Sequence, residues 1–142
     1  MRVGDSTSKQ VAFDAVGISA FARATGDMNP LHHDPVQAAR SRFGGIIASG
    51  SHVSALLLGM LAGWFADEEE NAGLDFSVRF RAPVRAGDTV TMTWRIVGIE
   101  FKPSLKGDIV RAEGEVVRAD GTVALTATAT AAIFRAGSII AQ

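Results

Sequence analysis

One run of apolar residues, from His52 to Phe65, does most to limit the folds open to this chain. It carries Leu56, Leu57, Leu58, Met60 and Leu61 and is interrupted by Gly59 and Gly63. A membrane span needs about 18 or more consecutive apolar residues, and this run is shorter. Its leucines cover more than one helical face, and a helix that is apolar nearly all round is expected to be wrapped by protein on most sides. The rest of the chain must supply that wrapping. With 142 residues, 47% of them hydrophobic and 20% charged, it has the means to do so as a single domain spanning residues 1–142.

The segment Met1 to Lys9 is polar and has no apolar signal-peptide core. Cysteine is absent, which removes disulfides, thiol catalysis and cysteine-based zinc sites and fits a reducing compartment. Lys and Arg total 14 against 15 Asp and Glu, a net charge of -1, so no basic field invites nucleic acid. The expectation is a soluble cytoplasmic domain with neither a nucleic-acid nor a membrane partner.

Periodicity divides the chain in two. Val11 and Phe13 alternate with polar neighbours over 10–16 and predict a short strand. Ile18, Phe21 and Ala22 predict a helix over 19–24, with Ser19 as its N-cap. Gly26-Asp27-Met28-Asn29-Pro30 is turn chemistry. Asp34-Pro35 opens a second short helix, with Gln37 placed for a capping box. Ser49-Gly50-Ser51 opens the apolar helix, and Asp67 to Asn71 should return the chain to solvent. From Gly73 the period becomes two. Phe76, Val78 and Phe80 share a face, then Val90, Met92, Trp94 and Ile96, then a strand over 109–118, the turn Ala119-Asp120-Gly121, and a strand over 122–134. This predicts an α+β fold in which a meander of four long antiparallel strands curls around the apolar helix.

The chemistry concentrates between residues 25 and 50. Asp27 and His32 lie on one turn-rich loop, and the turn at Asn29-Pro30 can fold them together. Taken singly, each reads as an ordinary loop residue; together they can share a water, with the carboxylate fixing the imidazole tautomer. Gly50 stands at the start of the apolar helix, where unpaired N–H groups carry the positive end of the dipole and can stabilise an oxyanion. His33 has the wrong spacing to join the pair and is expected to be structural or exposed, and His52 to serve a helix-terminus or core role.

The residues Gly26-Asp27-x-Asn29-Pro30-Leu31-His32, with Phe43-Gly44-Gly45 and Ile47-Ala48-Ser49-Gly50, resemble the MaoC-like family of (R)-specific enoyl-CoA hydratases and dehydratases. The turn from Pro83 to Asp88 extends the similarity along the chain. The resemblance implies a hotdog fold, a curved antiparallel sheet around a long central helix, and a homodimer or higher oligomer. It implies syn addition of water to a trans-2-enoyl thioester giving an (R)-3-hydroxyacyl thioester, or the reverse dehydration. Asp27 and His32 would activate water, Asn29 would orient them, and the Gly50 N–H would hold the thioester oxygen. Ser49 stands where many members carry histidine and is read as a helix cap or pocket contact. The resemblance implies no metal and no redox cofactor, with coenzyme A or acyl carrier protein entering only as part of the substrate.

Two other readings compete. A hotdog acyl-CoA thioesterase commonly places a carboxylate on the central helix, but the run from Ser51 to Ala66 has none. A non-catalytic acyl-thioester-binding subunit typically lacks the Asp/His motif, which is present here. Arg40, Arg42, Arg79, Arg81 and Arg85 are candidates for coenzyme A phosphates, each more simply read as a charged face in solvent. The sequence leaves open the acyl group, the carrier, the direction and which of Asp27 and His32 is the base.

Overall fold

The computed structural model describes residues 1–67 and 70–135. Its elements run β1 (Ser6–Ala12), α1 (Ala15–Ala24), a 3₁₀ turn (Pro30–His32), α2 (Pro35–Arg40), α3 (Gly50–Ala66), β2 (Asn71–Phe80), β3 (Thr89–Lys102), a second 3₁₀ turn (Pro103–Leu105), β4 (Gly107–Arg118) and β5 (Val123–Phe134). The five strands form one antiparallel sheet in the order β1-β3-β4-β5-β2. The expected α+β class and the curved sheet against a long helix are borne out.

Four local expectations need correction. The first strand is Ser6–Ala12 and not 10–16, because Asp14 caps a helix that already includes Ala15 and Val16. The first helix begins at Ala15, capped by the Asp14 carboxylate, which accepts from the Gly17 N–H at 2.7 Å. Ser19 lies inside this helix, so it cannot be the N-cap; Asp14 was available four residues before Ile18, and the α1 pattern simply extends further back. The meander is three strands, β3-β4-β5, because β2 pairs with β5 at the far edge, with Asp75 opposite Thr130 and Phe80 opposite Leu125. Alternation identifies a strand but not its neighbour. In α2, Asp34 accepts from the N–H groups of Val36 and Gln37, whereas its own N–H goes to the Pro30 carbonyl, so the reciprocal half of the capping box is not made.

The apolar row Val90, Met92, Trp94 and Ile96 points inward from β3 and is almost fully buried. Facing it, α3 buries Val53, Leu57, Leu61 and Phe65, spaced four apart down one stripe. Trp94 binds the two layers together: its indole N–H donates to the Leu57 carbonyl at 2.8 Å, and Gly114 on β4 leaves room for its ring. Register shifts between Ile96 and Gly98 in β3 and between Gly73 and Asp75 in β2 add the local twist that curls the sheet.

The wrapping of α3 falls short of the expectation. A single curved sheet covers one stripe of a helix, and here Leu56 and Leu58 remain 37% and 39% exposed on the others. Asp67 and Glu70 are exposed as expected, while Glu68 and Glu69 between them lie outside the described residues. Among the described residues, no helix is long and apolar enough to cross a membrane.

The Leu57→Ala substitution removes a fully buried side chain from the centre of this contact. It is expected to cost about 2–5 kcal/mol of stability, as deletion of a buried leucine generally does. Denaturant unfolding of the two proteins measures it, and a change under about 1 kcal/mol would contradict this packing.

Candidate active site

The position of Asp27 is decided by how α1 ends. Gly26 adopts φ +79, a left-handed conformation that glycine enters without steric penalty. With it, the Gly26 N–H reaches the Arg23 carbonyl at 3.0 Å and the Asp27 N–H reaches that of Ala22 at 2.8 Å. This pair of bonds is a Schellman closure, and it fixes the backbone N–H of Asp27 against the last turn of the helix. The next turn holds the side chain, since Asp27 Oδ1 accepts the Asn29 N–H at 3.1 Å. Asn29 in turn caps the 3₁₀ turn, its Oδ1 accepting the Leu31 N–H at 3.1 Å. Asn29 thus holds Asp27 through its backbone, and its side chain shapes the turn that delivers His32.

His32 is buried, and its Nδ1 lies 2.8 Å from the Ile47 carbonyl oxygen. A carbonyl can only accept, so Nδ1 carries the proton and Nε2 is left with a lone pair in the neutral ring. Nε2 lies 3.3 Å from Asp27 Oδ2, whose side chain is 38% exposed. At that spacing the imidazole nitrogen and the part-exposed carboxylate meet directly, presenting two proton acceptors side by side.

Ile47 ties this loop to the start of α3. Its N–H donates to the Leu31 carbonyl at 3.1 Å, it bridges Arg85, and the flanking Ala48 N–H and Ile46 carbonyl pair with Val84 and Ala86. Three residues on, Gly50 begins the helix, where the first N–H groups have no acceptor within the helix. Ser49 is its N-cap: the buried hydroxyl accepts the His52 N–H at 3.2 Å and lies 3.2 Å from Ser51 Oγ. A Cβ at Gly50 would come within 2.8 Å of the Phe80 ring, so glycine permits that ring to lie on the helix start. Phe80 is itself 60% exposed and walls a recess of ≈ 400 Å³ together with Phe43, Ile47, Ala48, Gly50 and Val84. A larger groove of ≈ 490 Å³ lies on the opposite sheet face among Arg79, Arg95, Glu113 and Glu115 and touches none of these residues.

Of the remaining candidates, Arg85 and Arg81 are engaged within the fold, Arg85 Nε donating to the Phe43 carbonyl at 2.9 Å and Arg81 Nε to Thr126 Oγ1 at 3.2 Å. Arg40, Arg42 and Arg79 are exposed. His52 takes the core role: its ring stacks on Phe21 at 4.4 Å and meets Phe13 edge-on at 5.1 Å. His33, set aside by its spacing, bonds through both ring nitrogens, to Ser19 Oγ at 2.7 Å and to the Asp27 carbonyl at 2.8 Å. Helical periodicity could not show this, because Ser19 and His33 meet only through the fold.

The long helix α3 packs on a curved sheet, and the Asp27–His32 pair lies on the loop before it. Residues 5–121 match the model of the MaoC-like domain. The (R)-specific enoyl-CoA hydratase of Aeromonas caviae is 34% identical over 104 residues, covering 72% of this chain and 77% of that protein. The 3-hydroxyacyl-thioester dehydratase Z of Mycobacterium tuberculosis is 34% identical over 102 residues, covering 70% and 66%. The solved structure of the A. caviae (R)-hydratase involved in PHA biosynthesis superposes with a TM-score of 0.82 at 28% identity, covering 94% of this chain and 97% of that one. The chain belongs to the MaoC-like domain family. The expected enzyme class, a hydro-lyase, is borne out by relatives named as hydratases and dehydratases.

Burial lowers the pKa of His52 from the ordinary histidine value. The unfolded chain therefore takes up this proton at a pH where the folded chain does not. The stability linked to His52 is complete above about pH 6.5 and is lost as pH falls through the lower folded value. The His52→Phe variant keeps a ring on Phe21 without that proton, so its melting temperature should fall less than the wild type's between about pH 7.5 and 5.5. Parallel pH dependences of the two proteins would contradict the assignment.

Proposed function

We propose that this chain catalyses the (R)-specific hydration of trans-2-enoyl thioesters to (R)-3-hydroxyacyl thioesters, or the reverse dehydration. The observation that carries the reading is the Asp27–His32 pair, with the His32 tautomer fixed by Ile47 and its Nε2 3.3 Å from the Asp27 carboxylate. In the hydration direction a water's oxygen bonds to C3 of the enoyl group while the pair takes one of its protons. The C2=C3 electrons move toward the thioester, and the Gly50 N–H receives the negative charge developing on its oxygen. The pair then returns one proton to C2. Delivery of oxygen and proton from one pair of side chains gives addition to a single face, the syn outcome. The carrier of the acyl group, coenzyme A or acyl carrier protein, is part of the substrate, and no metal or redox group enters.

The thioesterase reading gains nothing from α3, which presents no carboxylate between Gly50 and Ala66. A second copy of the chain is the partner this reading assigns. The outer edge of β2, exposed Leu74 and Phe80, and the open leucines of α3 are the apolar surface it would cover. Sedimentation should give twice the monomer mass or a multiple of that, and a monomer at micromolar concentration would contradict it.

The test of the reaction is loss of enoyl absorbance with crotonyl-CoA and longer or branched enoyl-CoAs, followed by chiral analysis of the product. The variants Asp27→Asn and His32→Ala should each fold and lose about 10²–10⁴-fold in turnover, the usual loss on removing one acid–base group. Near-normal rates in both folded variants, or an (S)-alcohol product, would sink the mechanism.

A further inference from the structure

Asp27 has four polar groups, and the fold accounts for each. Its N–H is held by the Ala22 carbonyl at the end of α1. Its Oδ1 is held by the Asn29 N–H, and its Oδ2 faces His32. Its carbonyl oxygen is held by a side chain, the imidazole of His33, at 2.8 Å. This carbonyl can only accept, so His33 Nε2 carries the proton and Nδ1 of the neutral ring presents a lone pair. The Ser19 hydroxyl, 2.7 Å away, then donates to Nδ1 and sets the tautomer. Ser19 belongs to the body of α1, so two hydrogen bonds in series run from that helix to the Asp27–Met28 peptide.

That peptide links Asp27 to the residue that grips its carboxylate. Asn29 is one residue beyond it, and rotation of the Asp27–Met28 plane carries the Asn29 N–H away from Oδ1. The Schellman closure secures Asp27 only on its N-terminal side; nothing in the turn itself fixes the carbonyl on the other. The rings of His32 and His33 have centroids 6.3 Å apart and planes inclined by 81°. Neighbours in sequence thus anchor different segments, His32 the Ile47 strand and His33 the Asp27 turn.

From this geometry we infer that His33 is a positioning residue for the reaction proposed above, on which the inference rests: oriented by Ser19, it locks the Asp27–Met28 peptide and so holds the Asp27 carboxylate at His32. It touches no substrate and transfers no proton. An apolar side chain at this position leaves a half-enclosed carbonyl without its donor and the turn free to rotate. A reactive group displaced by about 1 Å can lose 10²-fold in rate, so the effect belongs in turnover.

A double-mutant cycle tests this. The His33→Leu variant should lower kcat about 10- to 100-fold with KM changed less than about threefold. In an Asp27→Asn background the same change should cost almost nothing more, because the carboxylate it served is gone. His33→Gln, whose amide can donate to the Asp27 carbonyl, should recover most of the lost rate, and Ser19→Ala should show a smaller loss of the same kind. A merely structural role would cost the same factor in both backgrounds. An undiminished factor beside Asp27→Asn, or a kcat for His33→Leu within about twofold of wild type, overturns the inference. If His33→Leu does not fold, the cycle is run with Ser19→Ala, to the same criteria of non-additivity. Independently, nitrogen-15 spectra of the wild type should show His33 protonated at Nε2 at neutral pH; an Nδ1-protonated ring overturns the inference. Near-normal turnover in both Asp27→Asn and His32→Ala sinks the proposed reaction and this inference with it, wild-type turnover in Asp27→Asn alone overturns this inference, and the other failures leave the reaction standing.

Discussion

The peptide group of Ile47 is the junction on which the site depends. Its carbonyl fixes the tautomer of a buried histidine, and its N–H fixes the turn that carries that histidine. Without it, the turn that carries His32 would lose its direct backbone tie to the segment that leads into α3. Because it is main chain, any residue but proline at position 47 supplies it so long as this extended segment keeps its place beside Val84. The ladder of Ala48 with Val84 and Ile46 with Ala86 serves that purpose. The strongest positional constraint on the chemistry therefore comes from a short stretch of extended backbone with no catalytic side chain.

A second constraint acts on the opposite side of the pair. Helix α1 ends where Gly26 turns left-handed, and that ending delivers Asp27 in one orientation. The α1 helix is itself held by Ile18 and Ala22 in the core and by Phe21 stacked on His52 of α3. Each member of the pair is thus tied to α3 by its own route, His32 through Ile47 and Asp27 through α1. The separation of 3.3 Å between them is set by the packing of helices as much as by the loop.

The sequence made the site more legible than the fold's wiring. Asp27, His32 and Gly50 stood out as candidates because turn residues and a helix start lie within a short stretch of chain, but Asn29 and the role of each came from the resemblance to the MaoC-like family. The position of β2 did not stand out, since the choice of β5 as neighbour depends on partners far along the chain, from Phe80–Leu125 to Asn71–Ile133, which alternation does not encode. Ser19 was misread for a related reason: a serine near a helix start is usually a cap, and its real partner, His33, is brought to it only by the turn between them. The apolar run of α3 correctly predicted a helix against a sheet, but composition alone could not say that a single chain covers only one stripe.

The placement of β2 has a consequence for the order in which the molecule assembles. Strands β3, β4 and β5 pair with sequence neighbours through short turns, but β2 must wait for β5, although it precedes β3 in the chain. Loop closure over such a separation is slow compared with hairpin formation. A nascent chain therefore carries its helices, with β1 waiting for β3 and β2 for β5, before the sheet can close. During that interval the apolar face of α3 and the free edge of β2 are both open to other chains, the state in which aggregation competes with folding. Speed of β5 synthesis and docking, more than final stability, sets how long this hazard lasts.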